Sequence, residues 1–171
     1  MTKTELENKI NDLQKQIEEL KQVKIEKDKP KGLFLLSIEE YKKYKNKITN
    51  QPEWRLRSPG ISSINAASVL ISGLVMEEGF TVKSDYLGIR PALYIPNLKS
   101  LNLEIFNNGY GDMVRYADID WIVLDEETGL CLSAYNLFPC KFDVRSNDYE
   151  TSYIKEILDK ISEKKGLLSK E

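Results

Sequence analysis

Histidine is absent from the 171-residue sequence, and cysteine occurs only twice, at Cys131 and Cys140. Without histidine the chain lacks the usual general base, the Ser-His and Cys-His nucleophile pairs, and the commonest zinc ligand. Two cysteines are too few for a disulfide scaffold, and we expect free, mostly buried thiols, although a Cys131–Cys140 bond stays open. We therefore predict a protein that is not an enzyme, with no catalytic residue, no metal site and no cofactor.

The sequence also lacks long apolar runs and a strong charge of either sign. No stretch approaches the roughly 20 apolar residues that span a bilayer, and the segment MTKTELENKI has no apolar signal-peptide core. The formal net charge of −2 argues against a general nucleic-acid binder, because such proteins neutralise phosphates with a basic face. We expect no membrane insertion, no nucleic-acid partner, and a protein that stays in the cytoplasm or leaves it inside a larger particle.

A heptad repeat occupies the start of the sequence. Its apolar residues recur at alternating intervals of four and three, with isoleucine at position a and leucine at position d: Leu6, Ile10, Leu13, Ile17 and Leu20. Thr4 and Glu7 are expected to form the capping box that begins the helix. The polar segment EKDKPKG predicts a linker over 26–32, after a coiled-coil helix over 1–25.

This apolar stripe needs a partner, because a helix of about 20 residues is only marginally stable alone in water. Self-association is favoured over packing onto the same chain, since the stripe is narrow and the linker contains Pro30 and Gly32. Isoleucine at a with leucine at d favours a parallel dimer. The repeat covers fewer than three heptads, and a homotrimer therefore stays open beside the homodimer.

Residues 33–166 alternate short strands with two helices, which indicates an α+β domain with a mostly antiparallel sheet, followed by a tail over 167–171. The segment GLFLLS predicts a buried strand that leads into a helix, with Ser37 and Glu40 as its capping box. The last helix is expected over about 152–165 from its apolar spacing.

Two hairpins are predicted between these helices. The first covers 65–86 with its turn at EEGF, 77–80, and the second has its turn at EETG, 126–129. Both faces of WIVL, 121–124, are apolar, which predicts a strand in the interior of the sheet.

Three spaced motifs, FLLSIEEYKKY, WRLRSPG and GIRPALYI, resemble a bacterial and phage domain of unknown function. That family shows Leu-Leu-Ser before a Glu-Glu-Tyr helix, then Trp-x-Leu-Arg-Ser-Pro-Gly and Gly-[Val/Ile]-Arg-Pro-Ala-Leu. The later segments IFNNGYGD, WIVLDEETGLCLS and NDYETSYIKEIL are similar to the half that usually comes first. The resemblance covers roughly 33–162 and implies a C-type-lectin-like fold in circularly permuted order.

The implied permutation predicts how two strands of the domain pair. Strands 91–95 and 101–105 should pair as an antiparallel hairpin through PNLKS, with Trp121 close to the core beneath Trp54. If they do not pair, residues 101–171 would instead open a second, incomplete domain.

The resemblance also separates scaffold residues from candidate ligand contacts. Trp54, Arg57, Gly88 and Arg90 match motif positions on either side of a variable stretch, which favours a scaffold role, since a guanidinium can satisfy several carbonyls at once. Arg55 is expected to face away from Arg57 and to be exposed. The candidate ligand-binding residues are Arg55, Asp85, Tyr86 and Tyr110, the tyrosines because they combine an apolar ring with a polar tip.

C-type-lectin-like domains resemble platforms whose loops bind sugars or proteins. With the coiled coil, this predicts an oligomeric display or attachment protein, a fibre or decoration protein of a phage or prophage particle. Its expected partners are its own copies, other virion proteins, and a host-surface glycan or protein. It would be located in the virion after assembly in the host cytoplasm. The alternative is a cytosolic phage-encoded inhibitor or adaptor that binds a host protein.

Two sharper functions are disfavoured. A calcium lectin would need more oxygen ligands, because QPE at 51–53 resembles a lectin triplet but no Trp-Asn-Asp follows it. An enzyme related to formylglycine-generating proteins would need a reactive cysteine, whereas Cys131 lies in the apolar segment GLCLS and is expected to be inert.

Overall fold

The structure, a computed structural model, describes residues 1–107 and 112–168, and the backbone alone for 25–28. Its contacts divide the chain into two units, Met1–Pro30 and Lys31–Glu171. The chain is α+β, as the sequence predicts, with one long N-terminal helix, two further helices and two mostly antiparallel sheets. In the described residues, no helix combines the length and the apolar character needed to cross a membrane.

The first unit is a single helix, α1, over Lys3–Asp28. The backbone N–H of Glu5 donates to the Thr2 hydroxyl at 3.2 Å, and the Thr2 backbone nitrogen donates to the Glu5 carboxylate at 2.7 Å. Thr2 and Glu5 therefore form the capping box of α1. The predicted pair, Thr4 and Glu7, was wrong by two residues. The helix begins at the first position where this exchange of hydrogen bonds is available.

The end of α1 also differs from the expectation. The helix continues to Asp28 and includes residues 26–28, which the sequence analysis assigned to the linker. Charged residues such as lysine and glutamate are good helix formers, whereas Pro30 lacks a backbone N–H and cannot continue a helix. The helix therefore ends close to the proline and not at the first polar residues.

We call the described part of the second unit, 31–168, the head. Its described residues form two α-helices, three short 3-10 helices and ten strands: α2 Ile38–Tyr44, α3 Tyr153–Lys164, the 3-10 helices Lys45–Lys47, Leu98–Ser100 and Tyr149–Thr151, and the strands β1 Trp54–Pro59, β2 Asn65–Val69, β3 Val75–Thr81, β4 Gly88–Ile89, β5 Ala92–Tyr94, β6 Ile105–Asn107, β7 Asp112–Tyr116, β8 Ile119–Asp125, β9 Leu130–Ser133 and β10 Phe138–Pro139.

Each sheet of the head draws strands from both halves of its sequence. The first sheet has the order β10-β4-β1-β2-β3, in which β1 and β4 are parallel and the other pairs are antiparallel. The second has the order β5-β9-β8-β7-β6 and is antiparallel throughout. Because β10 joins β4 and β9 joins β5, the second half completes the head and does not open another domain.

The β2–β3 hairpin is confirmed, but its turn is not where it was predicted. The turn lies at 70–74, where the Leu70 N–H donates to the Leu74 carbonyl at 2.8 Å and Gly73 has a φ of +86°. EEGF instead lies inside β3. There Gly79, with a φ of +82°, sits at a register shift against β2, and a Cβ on it would lie 2.4 Å from the Ala66 carbonyl oxygen.

Three other predictions are confirmed. Ser37 and Glu40 form the capping box of α2. The β8–β9 hairpin turns at EETG, and β8 is the central strand of its sheet. The helix α3 buries Ile154 and Leu158 against the core.

The hairpin expected between strands 91–95 and 101–105 is wrong. β5 and β6 lie at opposite edges of the second sheet, separated by β9, β8 and β7. Residues between them include a 3-10 helix that follows Asn97 in a left-handed conformation, φ 54°, and not a tight hairpin turn. The edge of β9 is thus available to β5, and the two pair with Leu93 opposite Cys131.

The interior of the head contains two apolar clusters. Trp121 and α3 belong to one, whereas Trp54 and Tyr41 belong to the other. The start and end of the head meet at the first cluster, where the Leu33 N–H donates to the Ser162 hydroxyl at 2.8 Å.

Candidate binding surface

Arg55 is fully buried in β1, and the prediction that it is exposed is wrong. Its guanidinium donates to three backbone carbonyls. Nη2 donates to Ser84 at 2.7 Å and to Thr81 at 3.1 Å, and Nε donates to Cys140 at 3.3 Å. Arg55 therefore offers no exposed atom to a ligand in this structure.

The burial follows from the covering of both faces of β1. On one face the Arg55 guanidinium lies 5.8 Å from the centre of the Phe142 ring, and on the other Trp54 packs edge-on against Tyr41. Residues two apart lie on the same face of a strand, and the expectation that Arg55 faces away from Arg57 therefore had no basis in strand alternation. The segments that cover Arg55 are distant in sequence and carry no motif that predicts this contact.

Arg55 is a buried cation held by neutral acceptors. Burial lowers its pKa to about 10, which leaves it protonated at neutral pH. Within the described residues it forms no ion pair, and its Nη1 has no hydrogen-bond partner. The charge is therefore balanced mainly by carbonyl dipoles, which fixes the backbone that carries those carbonyls.

That backbone leads into a loop, residues 82–87, which we call the display loop. Besides Arg55, two backbone bonds clamp its ends: the Phe142 N–H donates to the Val82 carbonyl at 2.9 Å, and the Cys140 N–H donates to the Leu87 carbonyl at 3.0 Å. Between these clamps Asp85 is exposed, and Tyr86 has 62% of its surface exposed. The loop thus presents two of the predicted ligand-contact residues from a fixed base.

Residues 140–142, whose Cys140 and Phe142 N–H groups hold the display loop, form the clamping segment, and its half-buried Lys141 lies against the exposed ring of Tyr153. The Lys141 ammonium lies 4.6 Å from the centre of the Tyr153 ring, and Tyr153 is 37% exposed. Asp143 accepts the Tyr153 backbone N–H at 3.1 Å, which positions the start of α3. Sequence analysis missed Lys141 and Tyr153, because they are twelve residues apart in the chain and belong to no recognisable motif.

The rings of Tyr86 and Tyr153 are both accessible to solvent. A tyrosine ring can pack on the apolar face of a sugar or of another side chain, while its hydroxyl forms a hydrogen bond. The remaining predicted contact, Tyr110, lies outside the described residues.

Arg90 has the geometry that a scaffold role requires. It is fully buried, and it donates to the carbonyls of Ser133, Thr49 and Ala134 at 2.7, 2.7 and 3.0 Å. The guanidinium also lies 5.2 Å from the centre of the Trp54 ring. Burial lowers the pKa of Arg90 to about 10, and the residue stays charged at neutral pH.

Arg57 is held less completely. Its Nη1 donates to the Leu35 carbonyl at 2.7 Å and pairs with the Glu40 carboxylate, while 30% of the Arg57 side chain stays exposed. It thus links β1 to the chain that enters α2. Its contacts are structural, but they are open to water.

The other predicted scaffold residues are in close contact with their surroundings. A Cβ on Gly88 would lie 2.3 Å from the Asn136 side-chain nitrogen, which itself donates to Pro52 at 2.8 Å. The buried Trp121 donates its indole N–H to the Tyr116 carbonyl at 2.9 Å. A side chain at Gly88 would therefore displace the Asn136 bridge.

The heptad stripe of α1 is about half exposed along its whole length. The exposed fractions lie between 46% and 69% for the five residues Leu6, Ile10, Leu13, Ile17 and Leu20. Such a stripe is typical of a helix whose partner is another molecule.

The cysteines are free, with Cys131 buried and Cys140 half-buried. Burial raises the pKa of the Cys131 thiol to about 12, which disfavours the reactive thiolate. In the described residues, no cluster of three or more acidic or cysteine side chains is placed to hold a metal ion.

A shallow groove of about 310 Å³ runs along the exposed side of α3. Its charges mostly pair with each other, since Lys155 contacts Asp159 at 2.9 Å and Lys160 contacts Glu156 at 3.0 Å. The groove therefore offers less free charge to a ligand than its composition suggests.

Comparison of the chain with protein-family models, curated proteins and solved structures found no match.

Proposed function

We propose that this chain is a non-enzymatic, oligomeric display or attachment protein of a phage or prophage particle. In this proposal α1 joins copies of the chain, and the head presents the display loop to a protein or glycan. The partners are other virion components and the host surface, and the protein resides in the virion after assembly in the host cytoplasm. The proposal depends mainly on one observation: α1 exposes its heptad stripe, and the head that follows it in the sequence has an apolar core of its own.

The head supports a display role through its rigidity. Arg55 donates to the Ser84 carbonyl within the display loop, and the clamping segment bonds to both ends of the loop. A loop that is held in this way loses less conformational entropy when a ligand binds. Tyr86 then needs little rearrangement to make a contact.

A C-type-lectin-like fold for the head is part of the proposal. Two small sheets, two helices and a start and end that meet are compatible with it. The motif resemblance of the first half supports it further, whereas the hairpin expected for a permutation does not form. We therefore propose the fold without that hairpin.

The proposal can be tested on particles purified through a density gradient and analysed by peptide mass spectrometry. We expect the chain in the particle fraction, in more than one copy per attachment point. Recovery only from the soluble fraction, in a stoichiometric complex with one host protein, would favour the inhibitor or adaptor and overturn the virion proposal.

Variants of the head connect this result to the display loop. Tyr86→Ala and Asp85→Ala should leave the chain in the particles but weaken particle binding to the host surface by tenfold or more if the loop makes the contact. Glu126→Ala, in the exposed β8–β9 turn, is the matched control. Equal binding by all three variants would remove the display loop from the proposal.

A further inference from the structure

We infer that α1 pairs with a second copy of this chain as a parallel, in-register dimer that holds both heads at one end. This inference rests on the proposed oligomeric function and specifies its stoichiometry and orientation. The exposed stripe leaves open which arrangement covers it. The residues that flank the stripe distinguish the arrangements.

Lysines bound the apolar stripe at the same heptad position. Lys3 and Lys24 occupy the a positions before and after the five apolar residues. An in-register parallel pair matches all five apolar residues with their own copies, which gives five apolar layers. A parallel pair shifted by one heptad keeps only three, because lysines then face apolar residues of the second copy.

An antiparallel pair is also less complete. Its a positions face d positions of the second copy, and the best alignments give four apolar layers. In each of them a lysine faces a leucine, Lys3 against Leu20 or Lys24 against Leu6. The in-register parallel pair alone covers the entire stripe with apolar contacts.

The residues beside the stripe are compatible with this pairing. In a parallel dimer each g position faces the e position of the second copy five residues later. These pairs are Lys9 with Gln14, Gln16 with Lys21, and Thr2 with Glu7. None brings like charges together, and each joins a hydrogen-bond donor to an acceptor.

The same residues favour two chains over three. Isoleucine at a with leucine at d packs best in a two-stranded coil. The lysines at the ends of the stripe can extend to water from a dimer, whereas a third helix would enclose their stems further. Because each head follows α1 in sequence, a parallel pair joins two heads at the same end of the coiled coil, and two display loops in one molecule raise the avidity for a repetitive surface.

Cysteine cross-linking of the full chain tests this arrangement. Leu6→Cys and Leu20→Cys should each form a covalent dimer under mild oxidation, since each residue faces its own copy. Lys15→Cys, on the outer face, should not cross-link. The unsubstituted chain gives the background from Cys140, and light scattering at the same concentrations should give the mass of two chains.

The outcomes separate the inference from the function on which it rests. A three-chain mass, or an oligomer in which neither leucine variant cross-links with itself, overturns the parallel dimer but leaves an oligomeric display protein. A monomer at every concentration, with no cross-link from either variant, overturns both.

Discussion

The helix α1 and the head differ in how much of their apolar surface is exposed to water. In the head, large side chains such as Trp54, Trp121 and Leu56 are fully or almost fully buried within one chain. On α1, every apolar residue of the heptad stripe keeps about half of its surface in water. The head buries its apolar residues within one chain, whereas the stripe of α1 stays available to a second copy in the dimer that we propose.

The two regions also differ in how they use positive charge. The lysines of α1 up to Lys24 are exposed, while the head buries Arg55 and Arg90 among backbone carbonyls. A buried guanidinium can join loops that are distant in sequence, because it has five donors in a fixed geometry. In the head, two buried cations thus hold loops together in addition to the apolar core, whereas the described lysines of α1 have no such role.

Arg90→Ala should give the largest loss in the free energy of unfolding of the head, about 3 kcal/mol or more. The substitution leaves three carbonyls without their donor, at about 1–3 kcal/mol for each buried group that stays unpaired. Urea unfolding followed by tryptophan fluorescence would measure the loss. A loss below 1 kcal/mol would contradict the scaffold role, while association through α1 should be unchanged in either case.

Local patterns predicted the parts of this fold that depend on neighbours in sequence. The Ser37 capping box, the central position of β8 and the stripe of α3 follow from spacing and alternation alone. The path from β5 to β6 did not, because strand order in a sheet is decided by packing between distant segments. The motif resemblance had led us to expect a hairpin there, but β5 pairs with β9.

The candidate site was predictable only in part, for the same reason. Asp85 and Tyr86 lie on an exposed loop, as expected for residues of a polar, variable stretch. The burial of Arg55 depends on carbonyls at 81, 84 and 140, which no local pattern connects to the arginine. The expectation that Arg55 faces away from Arg57 did not follow from strand alternation, because residues two apart lie on the same face of a strand. Trp54 and Leu56 keep that alternation, since both belong to the second apolar cluster while Arg55 faces Phe142.

Arg55→Ala and Arg57→Ala should each lower the free energy of unfolding of the head by less than Arg90→Ala does. We expect a loss of about 2 kcal/mol for Arg55, whose removal frees three carbonyls but also removes a buried, unpaired donor. For Arg57 we expect about 1 kcal/mol, because its ion pair and its carbonyl contact are partly exposed to water.

The same urea titrations would order these two variants. Hydrogen exchange at the amide groups of 82–87 adds a second measurement, since only Arg55→Ala should accelerate it. If Arg57→Ala costs more than Arg55→Ala, the buried cation is not what fixes the display loop.

The smallest effect on the head should come from α1. Ile10→Asp with Ile17→Asp places two carboxylates at a positions, which cannot be buried in a dimer without a large desolvation cost. Light scattering should then give a monomer. The free energy of unfolding of the head should stay within about 0.5 kcal/mol of the native value, because substitutions far from a folded core change its stability little.

The matched control is Asn8→Asp with Gln22→Asp, which adds the same charge at two f positions on the outer face of α1. It should leave both the oligomer and the head unchanged. Equal dissociation by the two double variants would mean that charge on the helix, and not the apolar stripe, controls association. If Ile10→Asp with Ile17→Asp destabilises the head while the control does not, α1 and the head stabilise each other. That result would contradict the view that the head is stable independently of α1.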